Sequence, residues 1–256
     1  MILTTEIASA EIVSDNPIHQ RLLFAYEEAA KLISGSVLDV GCGEGRGLEM
    51  LLEKCSDYTA FDKNELVLDR LRKKYPQFSF NNANVPPFPG IEDNSRDFVV
   101  TFQVIEHIED DELFVDEIFR VLKPGGKAIF STPNIKMSLT RNPWHAREYN
   151  KEQMYAILDR GFKNIYVQGV YGNDPVNQYY EENKRGVSKF TRFDILDLQH
   201  RLPRKLLQVP YDILNRMNRA NIHKKNSSMA SEITTANFHL KKADDLCYDF
   251  FCVAEK

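Results

Sequence analysis

The chain has 256 residues, 43% hydrophobic and 27% charged, with 33 Lys/Arg against 37 Asp/Glu and a formal net charge of −4. This is ordinary globular usage, long enough to bury a full core. Its most apolar stretches reach about ten residues, well short of the ~20 that span a bilayer, and Met1 to Ala10 lacks the basic start and apolar block of a signal peptide, so a cytoplasmic protein is expected.

From Asn16 to Ile33 the apolar positions Ile18, Leu22, Leu23, Tyr26, Ala29, Ala30 and Ile33 follow a helical period, and Gly35 stops the run. SVLDV (36–40) is short, apolar and β-branched, the pattern of a first strand. LEMLLEKC (48–55) reads as a helix, YTAFD (58–62) as a second strand ending in Asp62, and ELVLDRLRKKY (65–75) as a helix closed by Pro76. FSFNN (78–82) and RDFVVTFQVI (96–105) are the third and fourth strands. DELFVDEIFRVL (111–122) is a helix stopped by KPGG, and KAIFSTPN (127–134) a fifth strand. After a long connection come a helix, KEQMYAILDRGF (151–162), and a sixth strand, KNIYVQGV (163–170); CYDFFCVAE (247–255) supplies a seventh. Between these two strands, TRFDILDLQHRL (191–202) and PRKLLQVPYDILNRMNR (203–219) read as helices, whereas GVYGNDPVNQYYEENKRG (169–186) has the composition of an exposed loop. Strands alternating with helices predict one α/β domain over 1–256. Its doubly wound, parallel, seven-stranded sheet carries an inserted helical lobe, 171–244, between strands six and seven. Ligands belong at the carboxyl ends of such strands. Cys42, Cys55, Cys247 and Cys252 form no CxxC pair and read as reduced core or loop thiols.

The turn after the first strand, VLDVGCGEGRG (37–47), contains Gly41, Gly43, Gly45 and Gly47. A dinucleotide fingerprint needs a third glycine in the sixth position of the turn; counting from Gly41 that position is Arg46, and counting from Gly43 it is Leu48. No Gly-Lys-Ser/Thr follows, so it is not a phosphate-binding loop either. Asp39 stands at the entrance, where a carboxylate repels a phosphate and attracts a cationic group.

These motifs resemble those of class I S-adenosylmethionine-dependent methyltransferases, in the style of the small-molecule branch typified by quinone-biosynthesis and sugar methyltransferases. VLDVGCGEG, Asp62 at the end of the second strand, SRDFVVTFQVIEHIED (95–110) and EIFRVLKPGGKAIFSTPN (117–134) carry the resemblance, over roughly 16–134, the expected cofactor-binding core. It implies a Rossmann-like fold with S-adenosylmethionine as cofactor. Gly41, Gly43 and Gly45 then let the backbone approach the methionine end and ribose, and Asp39 orients the ammonium group. Asp62 accepts the ribose hydroxyls, Asn82 and Ala83 contact adenine, and Gln103 lines the methionine moiety. Asn82 departs from the acid usual in the family, but an amide still offers an acceptor.

The resemblance further places Glu106 and His107 beside the methyl donor. Transfer to a hydroxyl requires alignment and loss of a proton, a task suited to histidine. NPWHAREY (142–149) adds His145, so His107 and His145 are the candidate catalytic residues. The cluster also resembles that of small-RNA terminal ribose methyltransferases, in which an E-x-x-E-H motif, a TPN strand end and a later histidine hold a divalent metal. The resemblance implies Glu106, His107 and His145 as donors, but Gln103 stands in place of the first acid, a carboxamide where a hard cation wants a carboxylate, and no metal is expected. A small or lipid-linked acceptor, methylated on oxygen, is the expected partner. Between Lys184 and Lys225 eleven Lys/Arg face three Asp, a local +8 that leaves −12 on the rest. An RNA or membrane-peripheral methyltransferase docking through 184–225 therefore stays open, as does a cofactor-binding protein without turnover. The sequence does not fix the oligomeric state.

Overall fold

Short apolar runs set the central strands, and capping chemistry sets the helices between them. The computed structural model describes residues 15–192, 194, 197–225 and 227–256; the expectation for Met1 to Ala10 falls outside them. Helix α1 (Asn16–Ala30), with Pro17 in its first turn, leads into β1 (Ser36–Val40). There follow α2 (Leu48–Leu52), β2 (Asp57–Asp62), α3 (Glu65–Lys74), β3 (Ser79–Asn82), β4 (Arg96–Phe102), α4 (Asp111–Val121) and β5 (Leu122–Pro133). The Asp110 carboxylate accepts from the Leu113 N–H at 3.0 Å to start α4, and Asn150 and Gln153 form a reciprocal capping box at the start of α5 (Lys151–Leu158). The second half holds β6 (Lys163–Gly172), α6 (Asp174–Thr191), α7 (Leu198–Arg201), α8 (Arg204–Lys225), α9 (Ser227–Glu232), β7 (Phe238–Lys242) and β8 (Asp249–Glu255).

The expected doubly wound α/β fold is present, and among the described residues its sheet has eight strands in the order β3-β2-β1-β4-β5-β8-β6-β7. Strands β3 to β5 pair in parallel, whereas β8 runs antiparallel between β5 and β6. The strand beyond the seven expected is FHLKK, inside the segment 171–244; it pairs antiparallel with β6 at Val170↔Leu240. It is short, and its lysines, Lys241 and Lys242, belong to an edge that must not recruit another strand, which hides its β pattern in the sequence. The stretch 169–186, read as a loop from its Gly, Asn and Pro content, is largely α6. Pro175 lies in the first turn, where its missing N–H leaves no intrahelical bond unmade, and Val176 and Tyr179 bury the inner face. Of the helix expected over 191–202, α7 covers 198–201 and residues 193, 195 and 196 lie outside the described residues, while α8 runs through Pro210.

Side chains alternate between the two faces of the sheet, as the two-residue period demands. Val37, Tyr58, Ala60, Val100 and Phe251 pack on one face, and Leu38, Val40, Phe61, Val99 and Phe250 on the other. All four cysteines are free, three of them buried. No described helix is long and apolar enough to cross a membrane.

The turn of chain direction between β1 and its neighbour β4 opens a crevice at their carboxyl ends, and the helices after β6 are fastened over it. Asp15, fully buried ahead of α1, accepts from Arg216 at 2.8 Å and Arg219 at 3.1 Å on α8. Trp144 donates its Nε1–H to Asp212 of α8 at 3.1 Å. Removing the shared carboxylate takes away both ion pairs at a fully buried position, so Asp15→Ala is expected to lower the unfolding free energy by about 3 kcal/mol in urea denaturation.

Candidate active site

The glycine turn leaves β1 with its backbone bonded to β2: the Gly41 and Cys42 N–H groups both donate to the Phe61 carbonyl, at 2.8 and 3.1 Å. Gly41 has φ +82°, and a Cβ there would stand 2.3 Å from Val104, so no side chain fits. Gly43, with φ +51°, faces open space. Its N–H donates to Asp62 Oδ2 at 2.8 Å, while Asp62 Oδ1 accepts from the Asn64 N–H at 2.8 Å. Asp62 thus reaches the turn through one oxygen and retains lone pairs on both. Gly45, with φ +74°, is also required by packing: a Cβ there would lie 2.8 Å from Leu71 of α3. Asn82 pairs in register with Asp62 across β2 and β3, its Nδ2 reaching the Asp62 carbonyl at 3.3 Å; the Ala83 N–H donates to the same carbonyl at 3.2 Å.

Asp39 is 1% exposed. Its Oδ2 accepts from the Tyr58 hydroxyl at 2.8 Å, and its Oδ1 has no hydrogen-bond partner. Burial pushes its carboxyl up to about 7 against the lowering effect of the Tyr58 hydrogen bond. An unpartnered buried carboxylate oxygen beside open backbone is a receptor for a cationic group.

Across the switch point, Gln103 ends β4 in a left-handed conformation, φ +58°. Its N–H donates to the Ser131 carbonyl at 2.7 Å and its amide to Ser131 Oγ at 3.2 Å, which hold a strained residue in place. A tight turn, Ile105–His107, follows. The connection after β5 folds onto it: the Ala146 N–H donates to the Glu106 carbonyl at 2.6 Å, and the His107 and His145 rings meet edge to face at 4.9 Å. Sequence positions 38 residues apart thereby share one cavity of about 240 Å³, walled also by Gln103, Glu106, Arg21 and Glu148. Glu106 is 1% exposed, and burial raises its carboxyl to about 7 despite the neighbouring His145. Its Oε2 accepts from Thr132 Oγ1 at 3.0 Å; its Oε1 has no partner. His107 Nδ1 lies 2.9 Å from the Trp144 carbonyl oxygen, and His145 Nδ1 lies 2.6 Å from Glu148 Oε1.

Gln103, His107 and His145 therefore converge on one cavity, while Asp39, Gly41, Gly43, Asp62, Asn82 and Ala83 lie at or just beyond the carboxyl ends of β1 to β3. Several lining groups were not singled out from the sequence. Asn142 lacked any signal beyond an ordinary polar residue, and Tyr211, Asn215 and Arg219 come from α8, brought in by the lobe. Behind the cavity wall, Asp249 did carry a signal: it is an acid inside the apolar run CYDFFCVAE. It is 1% exposed, pairs with Arg21 at 3.0 Å and is raised by burial. Tyr26 is a core residue packed edge-on against Phe102.

Residues 38–130 match a family described as a methyltransferase domain. Over 176 residues the chain is 36% identical to a probable S-adenosylmethionine-dependent methyltransferase of Mycolicibacterium smegmatis, covering 66% of this chain and 68% of that protein. A ubiquinone biosynthesis O-methyltransferase of Sodalis glossinidius is 28% identical over 156 residues, 59% of each chain. Among solved structures, an S-adenosylmethionine-dependent methyltransferase of Thermotoga maritima, described as a possible histamine N-methyltransferase, shares the fold with a TM-score of 0.58 at 16% identity, covering 93% of this chain and 91% of that one.

Because folded Asp39 keeps its proton up to about 7 whereas an unfolded aspartate loses it near 4, the ligand-free fold has this contribution in full below about pH 4 and loses it as pH climbs through 7. Asp39→Asn, neutral throughout, is expected to gain on the unsubstituted protein between about pH 5 and 8, by at most about 1.4 kcal/mol per pH unit below pH 7. Urea unfolding at both pH values measures this, and a pH-independent difference would rule out a titrating Asp39.

Proposed function

The chain belongs to the S-adenosylmethionine-dependent methyltransferases, and on that premise we propose that it methylates an oxygen of a small acceptor, free or lipid-linked. When bound, S-adenosylmethionine supplies an electrophilic methyl group carried on a sulfonium. The residues present fit that cofactor: the buried Asp39 Oδ1 lacks a partner where an ammonium group needs a carboxylate, and the open Gly43 leaves room for close approach. In this reading Asp39 orients the amino-acid end. Gly41, Gly43 and Gly45 shape the turn, Asp62 accepts the ribose hydroxyls, Asn82 and Ala83 border the adenine, and Gln103 lines the methionine moiety.

The observation that carries the choice of oxygen is the pairing of His107 with His145 at 4.9 Å on the wall of the same cavity as Gln103. A hydroxyl is a poor nucleophile until its proton is lost or polarised, whereas an uncharged amine already presents a lone pair. Two imidazoles at the acceptor end answer the first need. The O-methyltransferase among the relatives points the same way. The helices α6 and α8 lie over the cavity and would exclude water from the transfer.

One observation favours an acceptor at a lipid surface. Leu206, Val209, Ile213 and Met217 are each at least half exposed and recur along one face of α8, opposite the cavity-lining Tyr211, Asn215 and Arg219. Co-sedimentation with anionic liposomes, lost in Val209→Glu/Ile213→Glu, tests that form of the acceptor.

The general test is incubation with isotopically labelled S-adenosylmethionine and a panel of hydroxyl and amine acceptors, with products identified by NMR. Methyl ethers or esters are expected, and exclusive methylation of nitrogen would overturn the assignment. His107→Ala and His145→Ala are each expected to lower kcat by about 10²- to 10⁴-fold with S-adenosylhomocysteine affinity kept. Asp62→Ala should show the converse, losing about 1 to 3 kcal/mol of S-adenosylhomocysteine binding in calorimetry, the cost of leaving hydroxyl partners unpaired.

A further inference from the structure

Resting on the methyl-transfer reading, we propose that Arg141 binds an anionic group of the acceptor, so that the hydroxyl to be methylated belongs to a molecule carrying a carboxylate or a phosphate. The connection after β5 borders two cavities. One is the cavity of about 240 Å³ that holds Gln103 and His107. A second, of about 380 Å³, adjoins it and is lined by Arg141, Arg147, Gln199 and His200. Asn142, His145 and Glu148 belong to both walls. A molecule that fills the second cavity therefore stands beside one of the two imidazoles assigned to the acceptor's hydroxyl.

The charges around the second cavity are paired, with one exception. Arg147 meets the buried Asp111 at 2.8 Å, and the His200 ring meets Asp197. Glu148, the carboxylate on the wall, is turned to His145 Nδ1 at 2.6 Å and accepts from the Ser138 hydroxyl. Arg141 has no carboxylate partner among the described residues; its Nη1 donates instead to the carbonyls of Gln199 at 3.1 Å and His200 at 3.2 Å. A guanidinium keeps its proton under all ordinary conditions, so a full positive charge stands in this wall against neutral groups.

Those two bonds also orient the guanidinium. The carbonyls belong to α7, whose start is held by Asp194, with its oxygens accepting from the Leu198 N–H at 2.7 Å and the Gln199 N–H at 3.0 Å. Capping a one-turn helix accounts for Nη1 and makes no use of the rest of the group. Nε and Nη2 remain, and they share one edge of the planar fork, with parallel N–H bonds spaced for two oxygens of one carboxylate or phosphate. A neutral acceptor would leave that edge uncompensated. On a chain of net charge −4, moreover, an anionic acceptor needs a local cation to enter. A carboxylate in this place makes the acceptor a hydroxy acid; a phosphate makes it a phosphorylated or phosphate-linked hydroxyl compound.

Benzoate, phenyl phosphate and the neutral benzyl alcohol, titrated into the full chain saturated with S-adenosylhomocysteine and followed by ligand-observed NMR, test this independently of turnover. At least one anion is expected to bind saturably, and about tenfold or more tighter than benzyl alcohol. The anion that binds better identifies carboxylate or phosphate as the group recognised. Arg141→Gln should weaken its binding by about tenfold or more, and Arg141→Lys, which keeps the charge without the fork, by a smaller factor. Lys136→Gln removes an exposed cation of the same connection that lines neither cavity, and should leave binding unchanged. Failure of both anions to bind, or a loss in Arg141→Gln no larger than that in Lys136→Gln, overturns the proposal. S-adenosylhomocysteine affinity measured on the same preparations separates the two readings: its retention without anion binding sinks the Arg141 site and leaves the methyltransferase assignment standing. Circular dichroism and thermal melts verify that each variant is folded.

Discussion

The parallel pairing of β1 with β4, Leu38 beside Val99 and Asp39 beside Val100, is the constraint on which the rest of the molecule depends. It puts two strands distant in sequence next to each other at the centre of the sheet, and the connections leaving them depart in opposite directions. The chain beyond each strand cannot fill the gap so made. On one side lies the glycine turn, pinned to the Phe61 carbonyl; on the other is Gln103, pinned to Ser131. Both turns carry backbone in positive φ, which they can sustain because the paired strands beneath fix their ends.

Around that gap the protein buries charge that a purely structural core would avoid. Asp39, Glu106 and Asp249 are each 1% exposed, and each leaves one oxygen without a hydrogen-bond partner. Desolvation raises all three carboxyls. Asp39 lies near the carboxyl end of β1, Glu106 walls the cavity, and Asp249 stands behind it, paired with Arg21. The same low-dielectric surroundings that make these groups costly without a ligand strengthen their hold on a cationic partner. Stability has been given up locally where binding recovers it.

The acceptor side is assembled from pieces with little in common along the chain. The turn at 105–107, the connection at 138–149 and the helix α8 meet because each is tied to another: Ala146 to Glu106, Trp144 to Asp212, Arg204 to the His145 carbonyl, and α8 to Asp15. The loop is therefore not free to vary independently of the lobe, and the cavity is walled by His107 and His145 on one side and by tyrosines and amides of α6 and α8 on the other. A shift of the lobe would alter the cavity while leaving the glycine turn on its own supports, the Phe61 carbonyl, Val104 and Leu71.

The donor half was legible in the sequence because its determinants are local. A β-branched run, an acid and glycines within one turn, and an acid closing the next strand are read from neighbouring residues, and they gave the fold class, the cofactor and the positions of Asp39, Gly43 and Asp62. What the sequence did not show at Gly45 is the Leu71 side chain behind it, because that contact depends on how α3 packs. The acceptor half was legible only as a list of polar residues. That His107 and His145 touch, that Glu148 orients one of them, that 169–186 becomes a helix over the cavity and that FHLKK adds an edge strand are results of long-range packing, which overrides local propensity wherever Gly, Pro and polar residues leave the backbone undecided. The sequence by itself determined which cofactor this protein was built around; only the tertiary structure decided what surrounds the methyl group's destination, because those contacts join residues that no short-range pattern links.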